Sequence, residues 1–242
     1  MSALDATALP GATFGGLVNA KHGAAAMIAA SEAASDALLS LLDSRQGLLL
    51  LRGMDGIKDE PELLLRLSRL CGSEVESYHE TRMARQNVHP EVPQIYMVSN
   101  IPPADRVPPA QPDPPRNADG SLPTRFPHRR GWHTDQSYRR PPPDVSLFYC
   151  VIPAPKNQAQ TLYANGIAAY AGLSDEMKDV VDNLVGIHAK PGLGRGEVAV
   201  RAGETPKELG PGDFPQCQPV VRAHPATGAK ALYLCEAGQM DW

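Results

Sequence analysis

Apolar positions along this chain follow a helical period early and a strand-like alternation late. From Ala24 to Leu42 the pattern is helix-compatible and ends at "DSRQG", where Gly47 offers a stop. The run "LLLLRG" (48–53) is short, apolar and closed by a glycine, which predicts a buried strand. The clearest helix is "KDEPELLLRLSRLCG" (58–72). Pro61 suits its first turn, acids crowd its start, and Leu63, Leu64, Leu67 and Leu70 recur at helical spacing. "QIYMVSN" (94–100) predicts another strand.

The character then changes, because 12 of the 24 prolines fall between Pro102 and Pro143. Proline removes a ladder donor and fixes φ, so 101–130 reads as a long ordered loop or lid. Beyond it, "DVSLFYCVIPAP" is strand-like, and "QTLYANGIAAYAGLS" reads as a strand passing into a short helix. Ser174 caps "DEMKDVVDNL", whose early acids favour a helix N-terminus. Short strands follow in "VGIHA", "PVVRAH" and "ALYLCE", the last two joined by the turn "PATGAK". Helices early and short strands late predict an α+β fold on a sandwich or barrel.

Composition narrows the class without naming a function. A chain of 242 residues with 42% hydrophobic and 21% charged residues has enough apolar material for a real core. A net charge of −4 gives no global reason to bind nucleic acid or an anionic membrane. No apolar run is long enough to span a bilayer, and "MSALDATALPGATFGG" lacks the features of a signal peptide. Cys71, Cys150, Cys217 and Cys235 are scattered, which argues against a zinc ribbon or disulfide framework; buried thiols in a reducing cytoplasm are expected.

The candidate chemistry sits in "GWHTDQSYRRPPP" (131–143). His133 and Asp135 are spaced i and i+2, which on a strand puts both side chains on one face. The spacing alone is weak, since a surface Asp beside a satisfied His gives the same pattern. Trp132 supplies an apolar wall, and the Pro-rich segment ends just before the pair. An imidazole and a carboxylate begin the facial set that holds non-haem Fe(II), and Zn²⁺ is the competitor on ligand chemistry. Arg129, Arg130, Arg139 and Arg140 suit an anionic small molecule, or are solvated loop charge.

Several stretches together resemble the TauD/TfdA family of Fe(II)- and 2-oxoglutarate-dependent dioxygenases, which includes taurine dioxygenase. They are "WHTDQSYRRPPPDVSLFYCVIPAP", "QTLYANGIAAYAGLS", "PVVRAHPATGAKALYL" and the early "LLLLRGM". The resemblance implies one domain over residues 1–242, with a double-stranded β-helix (jelly-roll) core and flanking helices. It also implies His133 and Asp135 as two iron ligands, and Thr161 as the hydroxyl that helps hold 2-oxoglutarate. O₂ and 2-oxoglutarate would be converted to succinate and CO₂ as a small organic substrate is hydroxylated.

Two features depart from the family pattern. The approach to Thr161 reads "NQAQT" (157–161) where relatives are glycine-rich, and no segment matches the distal His ligand or the Arg that pairs with 2-oxoglutarate. His188 and His224 align with family positions that are not ligands and are expected in structural roles, and His79 and His89 belong to a substrate region or a solvated loop. A C-terminally incomplete jelly roll is therefore expected, and its exposed sheet edges would favour self-association. A non-catalytic remnant or binding protein is the competing reading, and a zinc hydrolase a third.

Overall fold

The computed structural model describes residues 4–34, 36–77, 87–98, 117–120, 132–139, 141–155, 161–188, 216–235 and 240–241. Most of the 101–130 segment, His79, His128, Arg129, Arg130, Arg140 and four of the five residues of "NQAQT" lie outside them. Two compact units form: Met1–Asp113 with Leu147–Ala154, and Pro114–Ser146 with Pro155–Trp242.

In the first unit, β1 (Ala6–Ala8) pairs antiparallel with β2 (Gly16–Asn19), and β2 pairs parallel with β3 (Leu49–Arg52). Parallel pairing needs a crossover, which α1 (Gly23–Ala33) and α2 (Ala37–Ser44) supply. Ala24, Met27, Ile28 and Ser31 of α1 are buried at i, i+3, i+4 and i+7, one face of a 3.6-residue helix. The hydroxyl of Ser31 donates to the Met27 carbonyl at 2.9 Å, so its burial leaves no polar group unsatisfied.

The single helix expected over 24–42 is thus two, broken near Asp36, whose φ of 66° is left-handed and cannot continue a helix. The stop falls where expected: Gln46 (φ 59°) and Gly47 (φ 81°) are both left-handed, the Gln46 N–H bonds Asp43, and the Gly47 N–H reaches the Leu42 carbonyl at 2.9 Å. The expected buried strand at 48–53 is β3, only alternately half-buried because it lies at the sheet edge. At Gly53 (φ 71°) an added Cβ would lie 2.6 Å from the Ala20 carbonyl oxygen, so glycine is required where the chain leaves β3.

The helix expected over 58–72 is α3 (Glu62–Arg69), with Leu63 and Leu67 in the core cluster and Leu64 and Leu70 packed against it. Arg66 clamps Glu32 of α1 through Nε–Oε1 (3.0 Å) and Nη2–Oε2 (2.7 Å). Of the strand expected at 94–100, residues 99–100 lie outside the described residues, and 94–98 contribute one antiparallel bridge, Val88 to Tyr96. Residues 147–152 do not form the predicted strand. Leu147 and Tyr149 pack against the core, while Phe148 (70% exposed) and Ile152 (79%) face outward. Cys71 is half-buried and Cys150 exposed, so burial is not the common fate of the thiols.

The second unit holds α4 (Gly166–Ala171), α5 (Asp175–Val181) and two antiparallel sheets. The strand expected before α4 is absent, since residues 161–165 are irregular. Asn165 caps α4 by accepting from the N–H groups of Ile167 and Ala168, and Ser174 caps α5 as expected. One sheet has the order β5 (Gln216–Pro219), β4 (Val185–His188), β8 (Met240–Asp241). The other is the hairpin of β6 (Val221–Ala223) and β7 (Lys230–Leu232). "PVVRAH" is therefore split at Val220, which bonds Leu184 and Tyr233 instead of continuing either ladder.

His224 has the turn role expected of it, its Nδ1 accepting from Ala226 and Thr227 N–H at 3.3 Å. α4 lies against β7, where a Cβ on Gly166 would stand 2.8 Å from the Leu232 carbonyl oxygen. The α+β class holds, and the described strands form three small sheets. Among the described residues no single helix is long and apolar enough to cross a membrane.

Candidate metal-binding pair and its buried support

His133 and Asp135 are not on a strand. They lie on an irregular segment entering a turn over 135–138, and Gln136 within it has a left-handed φ of 52°. The Arg139 N–H closes the turn on the Gln136 carbonyl at 3.0 Å. Asp and Ser are common turn formers, so these residues suit a turn as well as the strand read from their spacing. The pair converges all the same: His133 Nε2 and Asp135 Oδ1 are 3.1 Å apart, with side-chain exposures of 26% and 65%.

That separation fits two donors on one ion. Ligand distances of about 2.1 Å at a right angle place neighbouring donors about 3 Å apart. One imidazole and one carboxylate match two thirds of a two-His, one-carboxylate iron set. Among the described residues no third His, Cys, Asp or Glu joins them in a cluster able to hold a metal. Thr161 is exposed on the irregular stretch before α4, and no hydrogen bond links it to His133 or Asp135 among the described residues.

The segment is held from beneath by polar groups that the sequence did not mark as a set. Ser137, buried, meets His188 Nδ1 at 2.8 Å, and His188 at the end of β4 is fully buried. Gln218 on β5 donates from Nε2 to the carbonyls of Ser137 (3.1 Å) and Arg139 (3.4 Å). Cys235 Sγ accepts from the Thr134 N–H at 3.4 Å and lies 3.7 Å from Ser137 Oγ. Burial, and secondarily the Arg222 guanidinium, hold the His188 imidazole below its ordinary pKa, so it is neutral in its pocket. The Tyr233 ring lies 5.6 Å from it at a tilt of 37° and carries Arg222 over its face at 4.7 Å.

His188 matches its structural expectation, whereas Ser137, Gln218 and Cys235 were missed as partners. The available signal was strand parity, since Gln218 shares its phase with buried Val220. His89 has a local role, its Nδ1 accepting from the N–H groups of Glu91 and Val92.

The family model for the taurine catabolism dioxygenase TauD, TfdA family matches residues 15–241. An alpha-ketoglutarate-dependent sulfonate dioxygenase of Saccharomyces cerevisiae is 28% identical over 86% of this chain and 44% of its own length. An alpha-ketoglutarate-dependent dioxygenase of Neocamarosporium betae is 26% identical over 81% of this chain and 58% of its own. An alpha-ketoglutarate-dependent sulfate ester dioxygenase of Pseudomonas putida is 29% identical over 43% and 35% respectively. The chain thus spans about half the length of the curated relatives that match most of it.

Proposed function

The chain belongs to the TauD/TfdA dioxygenase family, and on that premise we propose that it serves Fe(II)- and 2-oxoglutarate-dependent hydroxylation of a small organic anion. The observation that carries the reading is the 3.1 Å approach of His133 Nε2 to Asp135 Oδ1 inside the matched region. Names of relatives that act on sulfonates and sulfate esters support an anionic substrate of that kind. We also read the β5–β4–β8 sheet and the β6–β7 hairpin as parts of a jelly roll with helices outside it, within one domain.

His133 and Asp135 would hold the iron, and Thr161, exposed and accessible, would offer its hydroxyl to a carboxylate of 2-oxoglutarate. When bound there, iron with 2-oxoglutarate and O₂ would supply the oxidation, with succinate and CO₂ released as the substrate is hydroxylated. The protein's residues bind, orient and manage protons. The 3.1 Å contact puts His133 Nε2 and Asp135 Oδ1 within hydrogen-bond distance, with the donor set by the imidazole tautomer. To ligate a metal, Nε2 would have to present its lone pair without a proton. Asp135 would supply the negative charge that offsets the cation.

The test is anaerobic titration of the full chain with Fe(II) and 2-oxoglutarate, read by the visible charge-transfer band of the chelate. A band in the wild type that is absent from a folded His133→Ala variant supports the reading. A folded wild type with no band overturns it.

A further inference from the structure

The buried polar groups beneath the pair have no role in the proposed chemistry, yet they converge on its backbone. His188 is on β4 and Gln218 on the neighbouring β5, where Gly186 stands opposite Gln218 in the ladder; Cys235 follows β7. These separate stretches bond residues on both sides of Asp135: Thr134 before it, Ser137 and Arg139 after it. An irregular segment with a left-handed residue at Gln136 has little of its own to fix where its side chains point.

The bonds also have a consistent direction. A backbone N–H from Thr134 reaches Cys235 Sγ, and Ser137 Oγ–H can donate to the same sulfur. Ser137 Oγ is then free to accept from His188 Nδ1–H at 2.8 Å. His188 Nε2, which has no hydrogen-bond partner among the described residues, is left as a bare lone pair instead of an unmet N–H. An apolar interior of similar volume would be as stable or more so. A polar interior gives direction, because each bond fixes a backbone atom at a set distance.

We propose that His188 and Gln218 are positioning residues that lock the turn of residues 134–139 and thereby fix the donor separation of His133 and Asp135. The inference rests on the reading of that pair as metal ligands, and the experiment separates the two ideas. The full-length chain is prepared as wild type, His188→Leu, Gln218→Met and His188→Asn. Asn places an amide nitrogen where Nδ1 stands, so it can restore the bond to Ser137.

Two quantities are read: Co(II) affinity from ligand-field absorption, and hydrogen exchange at the amides of Thr134 and Arg139. Second partners of metal ligands typically change affinity 10- to 100-fold. His188→Leu and Gln218→Met should each weaken Co(II) binding by about tenfold or more. Both should speed exchange at Thr134 and Arg139 relative to amides of β6 and β7. His188→Asn should recover most of both effects, which generic support of the sheet would not.

Unchanged exchange and affinity in folded His188→Leu and Gln218→Met overturn the positioning role. If His188→Leu does not fold, Gln218→Met alone decides between the same two results. Wild type that binds no Co(II) dismisses the metal reading, and the exchange measurements still decide whether these residues lock the turn.

Discussion

The two units are built on opposite interiors. The core of the first is mostly apolar, with Leu4, Val18, Ala24, Met27, Ile28, Leu38, Met54, Ile57, Leu63 and Leu67 clustered and Ser31 the one buried polar side chain among its described residues. Among the described residues of the second, the buried positions are Ser137, Gly186, His188, Gln218, Val220 and Cys235, three of the six with polar side chains. Its larger apolar groups lie outside, with Val185 and Ile187 exposed on the face of β4 opposite Gly186 and His188. Apolar burial is non-directional and scales with area, so it makes a stable platform that tolerates rearrangement. Buried polar groups lose water and must be matched one by one, which adds little net stability but specifies geometry. The unit that carries the proposed metal-binding pair is the one with the more directional interior.

The largest test of that contrast is Ile28→Ala in the apolar core. The side chain is fully buried, so its truncation should cost about 2–5 kcal/mol in urea denaturation. A loss below about 1 kcal/mol would mean that the first unit does not rest on this cluster.

A change of pH should sharpen the contrast from the other side. With its pKa lowered by burial and by Arg222, folded His188 binds fewer protons than the unfolded chain just below its ordinary value of 6.5. Its contribution to stability is therefore complete above about pH 6.5 and declines as pH falls through that value towards the folded pKa. The groups that face it are Arg222, Tyr233 and Cys235, and burial pushes the Tyr233 hydroxyl above its ordinary pKa. Protection of β4 and β5 amides, corrected for intrinsic exchange, should fall between about pH 7.5 and 5.5 and fall less in His188→Asn. An equal fall in both proteins would remove His188 as the cause.

The smallest effects belong to the surface ion pairs, where the units are alike. Arg66 with Glu32 joins α1 to α3, and Lys230 with Asp182 ties β7 to the end of α5. Their partners hold Glu32 and Asp182 below the usual carboxylate range, but both carboxylates are solvated. Glu32→Gln and Asp182→Asn should shift the denaturation midpoint slightly, and the shift should vanish in about 1 M salt. A shift that persists there would assign those carboxylates to packing instead of charge.

Legibility followed the range of the interactions. The leucine stripe of α3, the Ser174 cap and the hairpin turn after β6 are local, and their residues announce them. β1 and β2, three and four residues long, are too short for a period to show. The strands expected at 147–152 and 161–165 had suitable residues, but a strand is completed by a partner, which local pattern does not supply. At the site, ligand types and spacing were readable while the strand geometry was not. His188 meets Ser137 across 51 positions and Gln218 reaches it across 81, a distance at which composition carries no trace of contact.

The parallel pairing of β2 with β3 also has a consequence for how the chain reaches this structure. Residues 20–48 must be looped out before that ladder can close, whereas residues 224–229 suffice for the β6–β7 hairpin. Loop-closure entropy grows with the logarithm of length, so the longer loop costs about 1.4 kcal/mol more. Local contacts therefore favour early closure of the hairpin, while the β2–β3 ladder depends on α1 and α2 having gathered the chain between its strands.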